Sequence, residues 1–191
     1  MTVSESIDTA WQQLCEIYTR AGDRAYGEAV TELTHAIQTA LVAEEQGAAD
    51  SLVVASLLHD IGHLLHDEGE DIADKDIDMK HEALGASFLK QWFLPRVTYP
   101  VVLHVAAKRY LATCRKGYVD QLSPASLKSL WLQGGYMTDE ELKSFRASAY
   151  YQDAIQLRTY DELAKDPEKK TPRFNKFEGV VKRELAAAVR G

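Results

Sequence analysis

Between Leu52 and Leu58 the chain reads Leu-Val-Val-Ala-Ser-Leu-Leu, and the next two residues are His59 and Asp60. A segment apolar on nearly every side must be surrounded by other elements, because no face of it is suited to water. Its length alone fits a buried strand as well as a helix. Its alanine and leucine content, and the helical patterns around it, favour a central helix from about Ser51 to Leu58. That helix carries His59 and Asp60 into the interior. A carboxylate taken there needs compensation, and metal coordination is one accepted form.

The rest of the chain reads as helices that could wrap this one. Trp11, Leu14, Cys15 and Tyr18 recur at three- and four-residue spacing and predict a helix from Ile7 to Ala21, stopped by Gly22. Thr31 is an N-cap for a second helix with Leu33, Ile37, Ala40 and Leu41 on its apolar side, ending near Gly47. After the acidic stretch 66–78, read as a solvated loop, a fourth helix is expected from Lys80 to Phe93, with Pro95 as its exit. Pro100 is expected to open a fifth, on which His104 and Lys108 share a face. Ser123 before Pro124 marks another start. Thr138 with Glu141 marks the next, as a capping box on a helix reaching toward Tyr160. A last helix is expected from Phe177 to Val189, with Phe174 and Phe177 as anchors. The fold class is all-α, with seven or eight helices and no alternating strand pattern.

The 191 residues suffice for one domain with a sizeable core, so residues 1–191 are expected to form a single unit. A formal net charge of -7 argues against a general nucleic-acid or membrane surface, yet allows a locally basic pocket for a small anion. Cys15 and Cys114 lack CxxC spacing and are expected to be buried thiols rather than a disulfide. Neither a signal-peptide pattern nor an apolar run of transmembrane length is present, which leads us to expect a cytoplasmic protein, monomeric or weakly homo-oligomeric.

The chemistry is concentrated in His35, His59, Asp60, His81, His104 and Asp161, which include four of the six histidines. Imidazole plus carboxylate without thiolate suits iron, manganese or zinc. A structural zinc site would more often use cysteines. Four histidines and two aspartates exceed what one tetrahedral ion needs, and a carboxylate such as Asp60 can bridge two ions. Two adjacent metals can activate water for hydrolysis or, if iron, activate oxygen; the residue types leave that choice open.

The order H…HD…H…D resembles the HD-domain superfamily, whose usual members are metal-dependent phosphohydrolases. More specifically, YGEAVTELTHAIQTA, ASLLHDIGHLL, KHEALGASFL, HVAAKRY, LSPASLKSLWLQGG and LRTYD resemble the phosphonate-cleaving HD-domain diiron oxygenases, relatives of myo-inositol oxygenase. The resemblance implies an HD-type helical bundle holding a mixed-valent Fe(II)/Fe(III) pair, with O2 as co-substrate. His35, His59, Asp60 and Asp161 would hold one iron, and Asp60 would bridge to a second held by His81 and His104. It also implies that His63, Lys108, Ser126 and Arg158 grip the phosphonate, with His63 and Lys108 the expected catalytic residues. Glu28 would meet the amino end. Independently of the resemblance, Gln133, near a pair of glycines, is expected to line the same wall as Lys108, Ser126 and Arg158.

The residues agree with that assignment at two points. Lys108 lies one turn beyond His104, and Arg158 one turn before Asp161, so each can reach an anion bound at the metals. In relatives that act on a primary amine, a tyrosine two residues before the glycine of the Gly-Glu pair covers the open iron. Here that position is Ala25, with Tyr26 beside it. The smaller residue leaves room near Glu28 for a quaternary ammonium, with Tyr26 able to add a cation–π contact. The expected reaction is therefore dioxygenase cleavage of the C–P bond of (1R)-1-hydroxy-2-(trimethylammonio)ethylphosphonate to glycine betaine and phosphate. The same reaction on (1R)-2-amino-1-hydroxyethylphosphonate, giving glycine, is the first alternative. HD-type phosphohydrolysis is the second, and a non-enzymatic ligand sensor is a third of a different class.

Overall fold

The segment Asp50–Leu58 is a helix packed chiefly against four others, and a fifth reaches it through Tyr18, whose hydroxyl donates to the Leu57 carbonyl at 2.8 Å. The computed structural model describes residues 2–25, 29–65 and 80–190. These contain nine α-helices: α1 (Val3–Ala21), α2 (Glu32–Glu45), α3 (Asp50–Leu58), α4 (His81–Leu89), α5 (Pro95–Cys114), α6 (Pro124–Leu132), α7 (Asp139–Ala147), α8 (Tyr151–Leu163) and α9 (Glu178–Arg190). Three short 3-10 turns, at Ile61–Leu64, Val119–Gln121 and Phe174–Phe177, join them. Strand pairing among the described residues is limited to an isolated bridge between Ala25 and Thr31.

Helix α3 is enclosed by α2, α5, α8 and α9, and Val54, Ala55, Leu57 and Leu58 are fully buried on its different sides. This enclosure is what the uninterrupted apolar run demands. The main core joins α1, α2, α3 and α9 with one side of α5. Phe174 stacks on Trp11 at 5.4 Å and tilts against Tyr18 at 4.5 Å, while Phe177 is wholly buried, so both anchor the carboxy-terminal segment as expected. The other side of α5 faces smaller clusters with α6, α7 and α8, including Ala107, Met137, Phe145 and Ala154. Helix α5 is thus the shared wall of two packing regions, with His104 and Lys108 both buried on it.

Four boundaries differ from expectation, each for a local reason. Helix α1 starts four residues early, because Thr2 and Glu5 form a reciprocal capping box. Helix α4 ends at Leu89, and Pro95 opens α5 instead of ending α4. Proline at the first helical position gives up an amide that would have no partner anyway, so Pro95 is a start signal and Pro100 lies inside the helix. The expected long helix from Thr138 toward Tyr160 is two helices. Ser148 adopts an extended backbone and its hydroxyl accepts from the Tyr150 amide at 3.3 Å, breaking the chain between α7 and α8. The cysteines are free, but Cys15 is only partly buried and Cys114 is exposed, where Arg146 donates to its sulfur. None of the described helices is long and apolar enough to cross a membrane.

Candidate metal and anion site

Each imidazole of the central group arrives from a different element. His35 sits in the first turns of α2, His59 caps the end of α3, His81 is the first residue of α4, and His104 lies in the middle of α5. Asp60 follows His59 at the turn out of α3, and Asp161 comes from α8. The chain order scatters them; the packing of α2, α4, α5 and α8 around the end of α3 brings them together.

Their geometry falls into two groups that share Asp60. Its Oδ2 lies 3.2 Å from His59 Nε2 and 3.8 Å from His35 Nε2. Its Oδ1 lies 3.4 Å from Nε2 of both His81 and His104. Asp161 joins the first group, with Oδ1 at 3.3 Å from His35 Nε2. One carboxylate therefore has an oxygen for each group, the disposition of a bridging ligand.

The donors fit cations better than they fit each other. His35 Nδ1 donates to the Ala164 carbonyl at 2.9 Å, and His59 Nδ1 donates to the Ser56 carbonyl at 2.9 Å. With those tautomers set, the neutral rings present lone pairs at Nε2, yet these two nitrogens face each other at 3.2 Å. His81 and His104 repeat the 3.2 Å approach, with His104 Nδ1 donating to the Val101 carbonyl at 2.7 Å. Oδ1 of Asp60 and Oδ1 of Asp161 are buried without a hydrogen-bond partner among the described residues. Anchored Nδ1 atoms, converging Nε2 lone pairs and orphaned carboxylate oxygens are the arrangement of a metal centre with its outer supports in place. His35, His59, Asp60 and Asp161 could hold one ion, and Asp60, His81 and His104 a second.

The electrostatics carry the same sign. Burial alone would raise the Asp60 carboxyl, but His59 and His81 hold it well below the usual carboxylate range. Burial is likewise overridden at Asp161, where Arg158 and His35 hold the carboxyl low. Burial lowers the His59 imidazole, but Asp60 and Asp161 raise it to about 9, so positive charge is favoured where an ion would sit. At His104 burial prevails and the ring stays well below its ordinary value.

A basic wall stands beside these groups. Lys108 is 3% exposed and Arg158 4%, which removes both from the solvated surface. Lys108 Nζ donates to Ser129 Oγ at 2.6 Å. Burial, together with the charges of Arg158 and Lys165, brings its pKa down to about 7. Ser126 is buried, and its hydroxyl accepts from Arg158 Nη2 at 3.3 Å and from Lys165 Nζ at 2.7 Å. The Arg158 guanidinium is engaged by Asp161 and Glu162, and its Nε donates to Tyr118 Oη at 3.1 Å. Within the protein its fork is therefore directed at carboxylates. His63 lies at the other edge, its ring stacked on His81 with centroids 4.0 Å apart. Gln133 ends α6 two turns beyond Ser126, with its side-chain oxygen buried and without a hydrogen-bond partner among the described residues. Tyr26 and Glu28, the expected partners of the cationic end, lie outside the described residues.

Four contributors were absent from the sequence reading: Ser129, Glu162, Lys165 and Tyr118. Glu162 could have been found, since it stands four residues after Arg158 on one helix face. Ser129 stands three residues after Ser126 and was equally within reach. Lys165 and Tyr118 lie beyond helix ends, where no periodicity points anywhere.

An all-helical bundle that joins a His-Asp pair at a helix end to histidines from three neighbouring helices defines an HD-domain protein, and this chain belongs to that family; the HD-domain match covers residues 33–123. It is 40% identical over 168 residues to the (1-hydroxy-2-(trimethylamino)ethyl)phosphonate dioxygenase (glycine-betaine-forming) of Leisingera caerulea, across 87% of this chain and 86% of that one. The hydroxymethylphosphonate dioxygenase of Gimesia maris is also 40% identical over 168 residues, across 86% of this chain and 82% of its own. An uncharacterized protein of Acanthamoeba polyphaga mimivirus is 33% identical over 155 residues, across 80% and 71% respectively. The HD-domain match ends before Ser126, Arg158 and Asp161, whereas the likeness to the two dioxygenases covers most of the chain.

Proposed function

We propose that this chain is an iron-dependent dioxygenase that cleaves the C–P bond of 1-hydroxy-2-(trimethylammonio)ethylphosphonate, giving glycine betaine and phosphate. The observation that carries the reading is Asp60, whose two oxygens each face a separate pair of histidines beside a buried basic wall. Iron held by His35, His59, Asp60, His81, His104 and Asp161 would supply oxygen activation and the redox capacity of the reaction. One substrate and one O2 balance to one betaine and one phosphate, so no external reductant is needed.

The protein's own groups account for binding and orientation. Lys108 and Ser126 bind the phosphonate oxygens, and Lys108 brings a positive charge from the helix that also presents His104. Arg158 acts first on Asp161, holding that carboxylate ionised and aimed, and its contact with Ser126 extends it to the phosphonate. His63, stacked on His81, closes the edge of the second group and reaches the substrate's phosphonate from that side. Enclosure by α2, α3, α5 and α8 keeps bulk water from the reacting carbon. Glu28 and Tyr26 receive the trimethylammonium end.

Anaerobic iron loading, followed by oxygen uptake and phosphate release with each candidate phosphonate, tests the proposal. Oxygen-dependent phosphate release, fastest with the trimethylammonio substrate, is expected. Phosphate-ester hydrolysis with manganese or magnesium in the absence of oxygen would replace this reading with HD-type phosphohydrolysis. Hydroxymethylphosphonate is a second substrate reading, motivated by equal identity to its dioxygenase. Glu28→Gln separates the two: it weakens turnover of the trimethylammonio substrate and spares one that has no cationic end. Preference for the primary amine by a large factor would transfer the assignment to the 2-amino analogue.

A further inference from the structure

Beyond the end of α8 the backbone is fastened to α2 on both sides of a single residue. On one side, the Ala164 carbonyl accepts from His35 Nδ1 at 2.9 Å. On the other, the fully buried Gln38 side chain takes both backbone groups of Asp166: Nε2 donates to the carbonyl at 2.6 Å, and the Asp166 amide donates to Oε1 at 3.1 Å. Lys165 lies between these attachments, so its Cα is held by two buried polar groups rather than by helix geometry. Its side chain is 13% exposed, and Nζ meets the Ser126 hydroxyl at 2.7 Å, with Glu162 Oε2 farther off at 3.9 Å.

Helix α6 is the surface on which this becomes a site. Ser126 and Ser129 are three residues apart on one face, and the Ser129 hydroxyl donates to the Ser126 carbonyl at 3.1 Å. One ammonium group reaches each hydroxyl: Lys165 on Ser126 and Lys108 on Ser129. They come from opposite directions in the chain, one from α5 and the other from the segment after α8. Two ammonium groups on adjacent turns of one helix repel each other unless an anion lies between them. At Lys108 burial is the main cause of the lowered pKa, Arg158 the next, and Lys165 adds in the same direction.

We propose that Lys165 is a direct ligand of the substrate's phosphonate group, forming with Lys108, Ser126 and Ser129 a two-ammonium, two-hydroxyl cradle on the α6 face. The proposal rests on the phosphonate reading above. Arg158 orients Asp161 and Glu162, while Lys165 and Lys108 meet the oxygens of the anion. The attachment of Ala164 to His35 ties the aim of this cation to a candidate metal ligand.

Inorganic phosphate, the anion released by the proposed reaction, is the probe. On the metal-loaded full-length protein, Lys165→Met should weaken phosphate binding by about 10- to 100-fold, the range for one lost charge-assisted hydrogen bond. KM for the phosphonate should rise by a similar factor with a smaller change in kcat. Metal content should stay at the parent value, and Lys165→Arg should recover much of the loss. On the parent protein, saturating phosphate should slow acylation of Lys165, read by mass spectrometry, so a poorly folding variant would not block the test. Phosphate affinity unchanged in Lys165→Met, or labelling of Lys165 indifferent to phosphate, would overturn the assignment; a fall in Tm alone would make Lys165 a cap for α8. A parent protein that binds phosphate at this cradle but releases none from any phosphonate would sink the proposed reaction instead, so the two failures are distinguishable.

Discussion

The two halves of the candidate metal centre are built by different means. In the first, His35 and His59 are completely buried, stand on α2 and at the end of α3, and have Nδ1 fixed by a backbone carbonyl. In the second, His104 has the same anchor, but His81 is held otherwise. It is the first residue of α4, its side chain is 10% exposed, and its ring is braced by stacking on His63. Its backbone sits so close to Gly62 that a Cβ there would fall 2.0 Å from the His81 carbonyl oxygen. The preceding residue, Lys80, takes a left-handed φ of 47°. The flanking cations differ as well. Arg158, beside Asp161, is matched by two carboxylates, whereas Lys108, a turn beyond His104, donates to a neutral hydroxyl. Hydrogen bonds to backbone fix a ligand more firmly than packing at a helix start. The first half should therefore retain its ion longer, and the second should be the place where occupancy and charge are adjustable.

The largest expected effect comes from the residue the halves share. Asp60→Ala should empty both and lower kcat by about a thousandfold or more, since several kcal/mol of metal-derived stabilisation would vanish. Two ions per chain retained in that variant, by elemental analysis, would break the comparison at its root. Gly62→Ala should act on one half only. By displacing His81 it should weaken the second ion by roughly 10- to 100-fold, leaving about one ion per chain under mild chelation. Equal loss from both halves would mean that they are not independent. A smaller effect is expected from pH. Because the Lys108 pKa is brought down to about 7, the free protein holds the charge below that pH and loses it above. kcat/KM for the phosphonate should fall by up to about tenfold per pH unit on the alkaline side, and Lys108→Arg should move that limb upward. A limb unmoved by Lys108→Arg would assign it to another group. The smallest effect is at Lys80. Glycine there should relieve the left-handed backbone and raise stability by about 1 kcal/mol, measured by denaturant unfolding. A loss instead would mean that the Lys80 side chain contributes more than its backbone costs.

The helical class was readable throughout, because apolar residues recur at helical spacing and the caps at Thr31, Ser123 and Thr138 mark starts that the structure keeps. Local signals failed where one residue can serve two roles. Pro95 reads equally as an exit or an entry, and Ser148 breaks a helix with its own hydroxyl rather than with a glycine or proline. Among site residues, His35, His59, Asp60, His81, His104 and Asp161 were conspicuous as metal-type residues, and the structure brings all six together. Lys108 and Arg158 were tied to ligands by one-turn spacing, and both are buried beside them. What spacing could not supply was the direction of the Arg158 fork, because its carboxylate partners compete with any anion for the same nitrogens. Nor could it supply Lys165, which is aimed by contacts with a helix more than a hundred residues earlier in the chain.

By itself, then, the sequence determined the all-helical class, the burial of the segment that ends in His59 and Asp60, and the residue types available for ions and anions. Those follow from local propensity and from the cost of leaving apolar surface in water, both of which act within a few turns. Only the tertiary structure decided which oxygen of Asp60 faces which histidines, which cation is neutralised, and that Lys165 reaches Ser126. Contacts of that kind depend on sub-ångström placement of helices distant in the chain, and placement at that scale is set by the packing of the whole core.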